Sequence, residues 1–210
     1  MGLRLLLMRH GQSQWNEAGR YQGQADIPLS QLGQQQAAAL AQRLASEPIA
    51  AVHCSDLQRA LATAEMVARP HGLPAQADPL WRELAFGAWE GLSYQEIAER
   101  FPADWHAWLA DPVSIGPPGG ESLTRLAERV RQALAAVRAR SPADGESDTS
   151  VAVVSHAGTL QVLLCLALGV DLSRYWQFRL DHGSLSLLWL YQEGATLALL
   201  NDCSHLSGRA

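Results

Sequence analysis

Cysteine is scarce in this chain of 210 residues and follows no recognisable pattern. Cys54, Cys165 and Cys203 are odd in number and widely spaced, which disfavours both a disulfide framework and a zinc site. Reduced thiols in a cytosolic protein fit this arrangement better. No metal-binding motif stands out elsewhere, so the sequence predicts no metal site.

The chain also has fewer basic than acidic residues, 16 against 21. The formal net charge is -5 and the isoelectric point is near 5.8, so we expect neither a nucleic-acid nor a membrane partner, because both need a basic surface. The most apolar later run, Leu160 to Val170, is shorter than the ~20 residues that a membrane helix requires. The apolar run after Met1 is short and lacks a cleavage pattern, so we expect a cytoplasmic protein.

Several familiar enzyme motifs are missing. The chain has no G-x-G-x-x-G or Walker A loop and no G-x-S-x-G elbow, which disfavours a dinucleotide-binding domain, a P-loop enzyme and a serine hydrolase. Apolar residues make up 48% and charged residues 18% of the chain, a balance that suits one well-buried core. We therefore predict a single domain over residues 1–210, with an inserted helical cap at about residues 84–120.

A predicted buried strand near the start of the chain ends in a chemically distinctive triplet. The apolar run Leu3 to Met8 is followed at once by Arg9, His10 and Gly11. Ligands of open α/β sheets bind beyond the carboxyl ends of the strands. A neutral imidazole is a good nucleophile and a guanidinium matches phosphate oxygens, so the triplet predicts a phosphate site. A purely structural, hydrogen-bonded histidine is the alternative.

Two later segments carry residues of the same kind. A second predicted strand, Val151 to Val154, is followed by Ser155 and His156, so two imidazoles meet at one edge of the sheet if the two strands are neighbours. Arg59 is predicted in the first turn of a helix, where the helix dipole disfavours a cation. A bound phosphate explains this arginine better than helix stability does.

Further elements follow from local signals. We predict strands at about Ala50 to Cys54, Pro74 to Ala77, Ser184 to Tyr191 and Thr196 to Leu200, the last two joined by a hairpin turn at Glu193 and Gly194. Ser30 and Ser122 are predicted helix N-caps, and either Ser55 or Asp56 is predicted to cap the helix that begins near Leu57. Ser141 to Ser150 is predicted to be a polar surface loop.

Four separated motifs resemble those of one family. They are Met8 to Ser13 with Trp15, Asn16, Gly23 and Asp26 to Ser30; Ser55 to Ala64; Glu83 with Phe86 to Gly91; and His156 with Gly158. In this order they are similar to the signature of the histidine phosphatase superfamily, also called the phosphoglycerate mutase-like family. The resemblance implies a three-layer α/β/α sandwich with a mostly parallel central sheet and a small helical cap.

The resemblance also implies a reaction. His10 would attack the phosphoryl group of a small-molecule phosphate ester and form a covalent phosphohistidine, with neither a metal nor another cofactor required. Glu83 would protonate the leaving oxygen, because it matches the family's acid by position, and Glu90 is the rival for this role. Water would then hydrolyse the phosphohistidine.

The resemblance implies that three cations stabilise the phosphoryl oxygens. They are Arg9, Arg59 and His156 in its charged form. The predicted substrate-binding residues are Ser13, Asn16, Gly23, Gly158, Glu121 and Ser122. His182 is a further loop histidine, with contact to substrate and a structural role both open. The aromatic residues Tyr94, Phe101, Trp105 and Trp108 are predicted to hold the inserted cap together rather than to bind a ring-bearing substrate.

Alternatives remain at the level of function. An α-ribazole-5'-phosphate phosphatase of cobalamin synthesis and a broad-specificity phosphatase fit the sequence equally well. A phosphoglycerate mutase is disfavoured, because Leu84-Ala85-Phe86 stands where the mutases have Arg-His-Tyr. An inactive phosphate-binding or scaffold protein is disfavoured because all five catalytic residue types are present. A homo-oligomer is compatible with the sequence.

Overall fold

The computed structural model describes residues 2–140 and 150–206. Within these ranges six strands form one sheet in the order β3-β2-β4-β1-β5-β6. The strands are β1 (Leu3–Arg9), β2 (Ile49–Cys54), β3 (Ala75–Ala77), β4 (Ser150–Ser155), β5 (Leu185–Leu190) and β6 (Ala195–Asp202). Strands β1 to β4 run parallel, whereas β5 and β6 are antiparallel and extend the sheet at one edge.

Strand β1 explains why the sheet is covered on both faces. Successive side chains of a strand point to opposite faces, and every residue from 5 to 8 is apolar. Leu5 and Leu7 pack into one hydrophobic cluster, and Leu6 and Met8 pack into another on the opposite face. The sheet is therefore the middle layer of three, as predicted.

Helices supply the two outer layers. Helices α2 (Gln31–Leu44) and α3 (Gln58–Ala68) pack with Leu6 and Met8, while α6 (Leu123–Arg140) and α7 (Ala157–Leu168) pack with Leu5 and Leu7. The remaining α-helices of the described residues are short: α1 (Gln14–Glu17), α4 (Tyr94–Arg100) and α5 (Pro102–Ala110). Short 3-10 turns occupy 69–71, 79–81, 87–89, 172–177 and 204–206. No helix within 2–140 and 150–206 is long and apolar enough to cross a membrane.

Several local predictions are confirmed. Ser30 Oγ accepts a hydrogen bond from the N–H of Gly33 at 3.1 Å, and Ser122 Oγ accepts one from the N–H of Arg125 at 3.4 Å. Gly169 ends α7 with φ of +67°, a conformation that favours glycine. The hairpin turn at residues 193 and 194 joins β5 to β6. The predicted loop at 141–150 lies outside the described residues except for Ser150, which begins β4.

The predicted cap of helix α3 is wrong. Its N-cap residue is Leu57, and Ser55 Oγ instead accepts a hydrogen bond from the Leu57 N–H at 3.2 Å within the turn. The first-turn N–H of Gln58 donates at 2.7 Å to the carboxylate of Asp26, 32 residues earlier in the chain. A tertiary contact thus takes the place of the local cap.

Most of the aromatic residues between 84 and 120 form a small core of their own. Trp89, Trp105 and Trp108 are buried together with Ile97, and the ring centroids of Trp89 and Trp105 are 5.4 Å apart. Tyr94 is the exception, with 57% of its surface exposed. As predicted, these rings chiefly hold helices α4 and α5 together.

Candidate active site

The register of the sheet brings the two strand-end histidines together. Strands β1 and β4 are adjacent and parallel, with Arg9 opposite Ser155. The next residues are His10 and His156, and their ring centroids lie 4.9 Å apart. The expectation that the two imidazoles meet at one edge of the sheet is confirmed.

His10 has one ring nitrogen committed and one free for chemistry. Its Nδ1 lies 2.6 Å from the carbonyl oxygen of Gly11. Because a carbonyl only accepts hydrogen bonds, Nδ1 carries the proton and Nε2 keeps its lone pair. The ring is 3% exposed, and burial, assisted by Arg59 and Arg9, lowers its pKa well below the ordinary value. His10 is therefore a neutral imidazole at pH 7 with Nε2 as its nucleophilic atom.

Arg59 lies in the first turn of α3 and is 1% exposed. Its Nη1 donates to the carbonyl of Ala25 at 2.8 Å and its Nη2 to that of Gly23 at 2.7 Å. Burial lowers the pKa of Arg59 to about 10, so the side chain remains charged at neutral pH. Gly23 has φ of +51°, so a glycine suits the turn that holds this guanidinium.

Arg9 is held from the other side by the loop before β5. Its Nη1 donates to the carbonyl of Leu180 at 2.7 Å, and its Nη2 lies 2.6 Å from Nε2 of His182. Burial and the nearby guanidinium of Arg9 lower the pKa of His182 to about 3, so His182 is neutral and accepts this hydrogen bond. Gly183 donates its N–H to the carbonyls of both Arg9 and His10, each at 3.1 Å. His182 thus contacts Arg9, and with Gly183 it supports the Arg-His pair.

Glu83 lies against the N-terminus of α7. Its Oε1 accepts hydrogen bonds from the N–H groups of Leu84 at 2.9 Å and Thr159 at 3.2 Å, and its Oε2 accepts one from Gly158 at 3.2 Å. The free N–H groups of a helix N-terminus favour a carboxylate there. A Cβ atom on Gly158 would lie 2.7 Å from Oε1, so an alanine here would displace the Glu83 carboxylate from its present position.

His156 is neutral in this structure, and its charged form during phosphoryl transfer stays a prediction. The ring is fully buried, and neither nitrogen has a hydrogen-bond partner among the described residues. Burial first, and then the positive charge of Arg59, lowers the pKa of His156 well below its ordinary value. Because two guanidiniums lie nearby in a poorly solvated site, the imidazole is neutral. A neutral ring still offers one N–H donor to a phosphoryl oxygen.

A cleft of about 250 Å³ opens onto part of this group, and neither His156 nor Gly158 is among the residues that line it. Of the predicted site residues, six line it: Arg9, His10, Asn16, Gly23, Arg59 and Glu83. Five lining residues were not predicted, namely Gly19, Arg20, Tyr21, Gln22 and Phe86. Most of them lie between Asn16 and Gly23, inside the first motif. Their position in that motif is the sequence feature that could have identified them as site residues.

Other predicted residues have structural partners. Ser13 is buried, caps α1 in a capping box with Asn16 and donates from Oγ to Gln22 Oε1. Glu121 forms an ion pair with Arg129, in which Glu121 Oε2 and Arg129 Nη2 are 2.8 Å apart. Among the described residues that line the cleft, neither Glu121 nor the helix cap Ser122 is present.

Glu90, the rival acid, also lies outside the group that lines the cleft. Its Oε1 accepts hydrogen bonds from the N–H groups of Gln24 at 2.9 Å and Phe86 at 3.1 Å. It therefore joins the loop that holds Arg59 to the segment after Glu83. Residues 2–140 and 150–206 contain no cluster of three or more histidine, cysteine or acidic side chains able to hold a metal ion.

A neutral buried histidine, two guanidiniums and a carboxylate at the strand ends of an α/β sheet define an enzyme site for phosphoryl transfer. The chain belongs to the histidine phosphatase superfamily (branch 1), whose family model matches residues 5–203. It is a phosphatase, in agreement with the resemblance in its motifs.

Named relatives cover nearly the whole chain. Phosphoserine phosphatase 1 of Hydrogenobacter thermophilus is 35% identical over 204 residues, which are 97% of this chain and 94% of the relative. The adenosylcobalamin/alpha-ribazole phosphatase of Escherichia coli is 33% identical over 200 residues, 95% of this chain and 96% of the relative.

Solved structures agree with the fold. A putative alpha-ribazole-5'-P phosphatase from Escherichia coli has a TM-score of 0.87 at 33% identity, covering 96% of this chain and 97% of the other. A mycobacterial glucosyl-3-phosphoglycerate phosphatase in complex with VO3 has a TM-score of 0.87 at 31% identity, covering 95% of this chain and 99% of the other. The predicted α/β fold is confirmed.

Proposed function

We propose that the protein hydrolyses phosphate monoesters through a covalent phosphohistidine on Nε2 of His10. The observation that carries the proposal is the 2.6 Å contact between Nδ1 of His10 and the carbonyl of Gly11, which leaves the Nε2 lone pair free. Burial and two neighbouring guanidiniums lower the pKa of His10, which keeps this nucleophile unprotonated. A neutral nucleophile at a fixed position is what attack on phosphorus needs.

The first step forms the bond between Nε2 and phosphorus and breaks the bond from phosphorus to the ester oxygen. Glu83 gives a proton to that oxygen as it leaves. Arg9 and Arg59 stabilise the charge that spreads over the three phosphoryl oxygens, and His156 donates one hydrogen bond to them. These groups are held in place before substrate binds, which lowers the cost of reorganisation.

The second step returns the enzyme to its starting state. Water attacks phosphorus, the bond to Nε2 breaks, and Glu83 takes the proton that the water loses. Inorganic phosphate and the alcohol are the products, and no electron transfer is involved. Glu83 thus acts first as an acid and then as a base.

The outer part of the cleft suggests a compact substrate. Its volume of about 250 Å³ falls below the roughly 300–1,000 Å³ of sites that enclose drug-sized ligands. Asn16, Arg20 and Gln22 offer polar contacts, and Tyr21 and Phe86 offer ring surfaces. A small polar alcohol attached to phosphate fits this lining, and we propose small phosphomonoesters as the substrate class.

One alternative function is supported by a specific comparison. An α-ribazole-5'-phosphate phosphatase is favoured by the 33% identity to the relative of that name in Escherichia coli. One relative named for phosphoserine is at least as similar, at 35% identity. We therefore propose a broad phosphomonoesterase first and the α-ribazole enzyme second.

The test is phosphate release from a panel of monoesters by chelator-treated protein. The panel includes an aryl phosphate, phosphoserine, α-ribazole phosphate, sugar phosphates and phosphoglycerates, and His10→Asn is the matched control. We expect release that requires His10, and one strongly preferred ester would name the substrate. No release by folded protein would refute the proposal and leave phosphoglycerate isomerisation or a binding role.

Two further expectations concern the whole protein. Cytoplasmic location is a proposal that cell fractionation tests, with recovery in the soluble fraction as the expected result. A homo-oligomer is compatible with the sequence, and light scattering on purified protein decides between a monomer of 22.8 kDa and a multiple of it.

A further inference from the structure

We propose that Arg129 is a positioning residue for the reaction. With Glu121 it forms an ion pair, the Arg129–Glu121 clamp, which fixes the backbone on both sides of Glu83. This inference rests on the proposed role of Glu83 as acid and base. Helix α6 contributes none of the residues that line the cleft. Its role in this proposal is indirect, because it orients the Glu83 carboxyl toward the leaving oxygen.

The guanidinium of Arg129 makes five hydrogen bonds. Nη1 donates to the carbonyls of Leu80 at 2.9 Å and Arg82 at 2.8 Å, and Nη2 donates to that of Glu83 at 3.0 Å. Nε and Nη2 donate to the two carboxylate oxygens of Glu121 at 2.9 and 2.8 Å. The side chains of Arg129 and Glu121 are 14% and 19% exposed, so water competes little for these contacts.

Glu121 adds a contact on the C-terminal side of Glu83. Its Oε2 also accepts a hydrogen bond from the N–H of Ala85 at 3.0 Å. The clamp therefore holds three carbonyls, at positions 80, 82 and 83, and one amide at position 85. The peptide groups before and after the Glu83 side chain are both fixed to α6.

This stretch of backbone depends on such support. Residues 82–86 belong to neither a helix nor a strand, so no regular ladder of backbone hydrogen bonds holds them. Thr159 Oγ1 donates to the carbonyl of Arg82 at 2.7 Å, and Gln24 Nε2 donates to that of Glu83 at 3.3 Å. Arg129 supplies one further hydrogen bond to each of these two carbonyls, and it does so from a helix of 18 residues packed on the sheet.

Position matters more for an acid than for most side chains. A general acid has to lie within roughly 2.6–3.2 Å of the oxygen that it protonates, and an error of about 1 Å can cost about 100-fold in rate. The need for the acid grows as the leaving group becomes poorer. Loss of the clamp should therefore slow hydrolysis of alkyl phosphates much more than hydrolysis of 4-nitrophenyl phosphate, whose leaving group needs little protonation.

The experiment measures kcat/KM on these two kinds of substrate. The variants are Arg129→Met, Arg129→Lys, which keeps the charge but loses the planar fork, and Glu83→Gln as the benchmark for loss of the acid. Arg138→Met, an exposed arginine on the same helix, is the matched control. In Arg129→Met we expect a loss on the alkyl phosphate about tenfold larger than on the aryl phosphate, in Arg129→Lys a smaller loss of the same kind, and in Arg138→Met no change.

Two negative results have different meanings. If Glu83→Gln loses activity equally on both substrates, the acid role is refuted and the positioning role with it. If Glu83→Gln distinguishes the substrates but Arg129→Lys and folded Arg129→Met do not, only the positioning role is refuted. Should Arg129→Met fail to fold, the ratio in Arg129→Lys decides.

Discussion

Replacement of Arg59 by methionine tests how much a single buried cation contributes to catalysis. Arg59 is 1% exposed, and its pKa of about 10 keeps it charged in the pH range of an assay. At an effective dielectric constant of 20, a unit charge about 4 Å from another contributes about 4 kcal/mol. Removal of one preorganised donor to a transition state costs about 3 to 4 kcal/mol in comparable sites. We therefore expect kcat/KM to fall by about 100- to 1,000-fold.

The same substitution has a structural consequence that must be separated from catalysis. Arg59→Met removes the arginine donor to the carbonyl of Gly23 and one of the two donors to the carbonyl of Ala25, which keeps the N–H of Ile27 at 3.2 Å. Hydrogen bonds to charged groups contribute about 1.5 to 3 kcal/mol each, and the buried methionine offsets part of the loss. We expect the free energy of unfolding to decrease by about 2 kcal/mol, with the protein still folded at 25 °C.

The assay is the hydrolysis of 4-nitrophenyl phosphate, with thermal unfolding followed by circular dichroism. Arg69→Met is the matched control, because Arg69 is an exposed arginine at the end of the same helix. The control should keep the activity of the unmodified protein. A folded Arg59→Met variant with kcat/KM within about fivefold of that protein would refute the role of Arg59, since the charge effect predicts a far larger loss.

Three further predictions follow from the site and the core. Gly158→Ala should lower kcat on alkyl phosphates by at least about tenfold, because the new Cβ would lie 2.7 Å from Oε1 of Glu83; unchanged kcat would contradict that packing. His182 has a pKa of about 3 in the folded protein and about 6.5 in the unfolded chain, so the unfolded state binds more protons between these pH values. The free energy of unfolding therefore falls as the pH drops, by about 2 kcal/mol from this residue at pH 5. Calorimetry of His182→Gln should show a weaker pH dependence of stability. Burial raises the pKa of Cys54 to about 12, so iodoacetamide at pH 8 should label the partly exposed Cys203 first, and rapid labelling of Cys54 in folded protein would contradict its burial.

The parts of the fold that could be predicted are those encoded locally. The apolar runs of β1 and β4 identify buried strands without knowledge of their neighbours, and parallel pairing then brings His10 and His156 to one edge. The caps at Ser30 and Ser122 depend only on the residue and the next turn of helix. The folded structure therefore retains the strands and helix caps that these local signals predict.

The parts that could not be predicted depend on long-range contacts. The cap of α3 comes from Asp26, whose carboxylate reaches Gln58 only in the folded chain, so Ser55 and Asp56 were the wrong prediction. The neutral state of His156 in this structure likewise follows from burial beside Arg59, which no motif records.

Glu121 illustrates the same limit for the site. The family resemblance predicts a contact between Glu121 and the substrate, whereas its carboxylate is paired with Arg129 on the following helix. Arg20, Tyr21 and Phe86 line the cleft through loop conformations, so their positions within the motifs, and not any periodic pattern, are the signal that could have identified them.

The most direct test of the account is detection of the phosphohistidine itself. A substrate with a radiolabelled phosphoryl group is mixed rapidly with the protein, quenched in alkali and mapped by proteolysis and mass spectrometry. We predict a label that is stable to alkali and lost in acid, attached to His10, and absent from His10→Asn. Full turnover without any label on His10, or hydrolysis by His10→Asn at the rate of the unmodified protein, would contradict the mechanism.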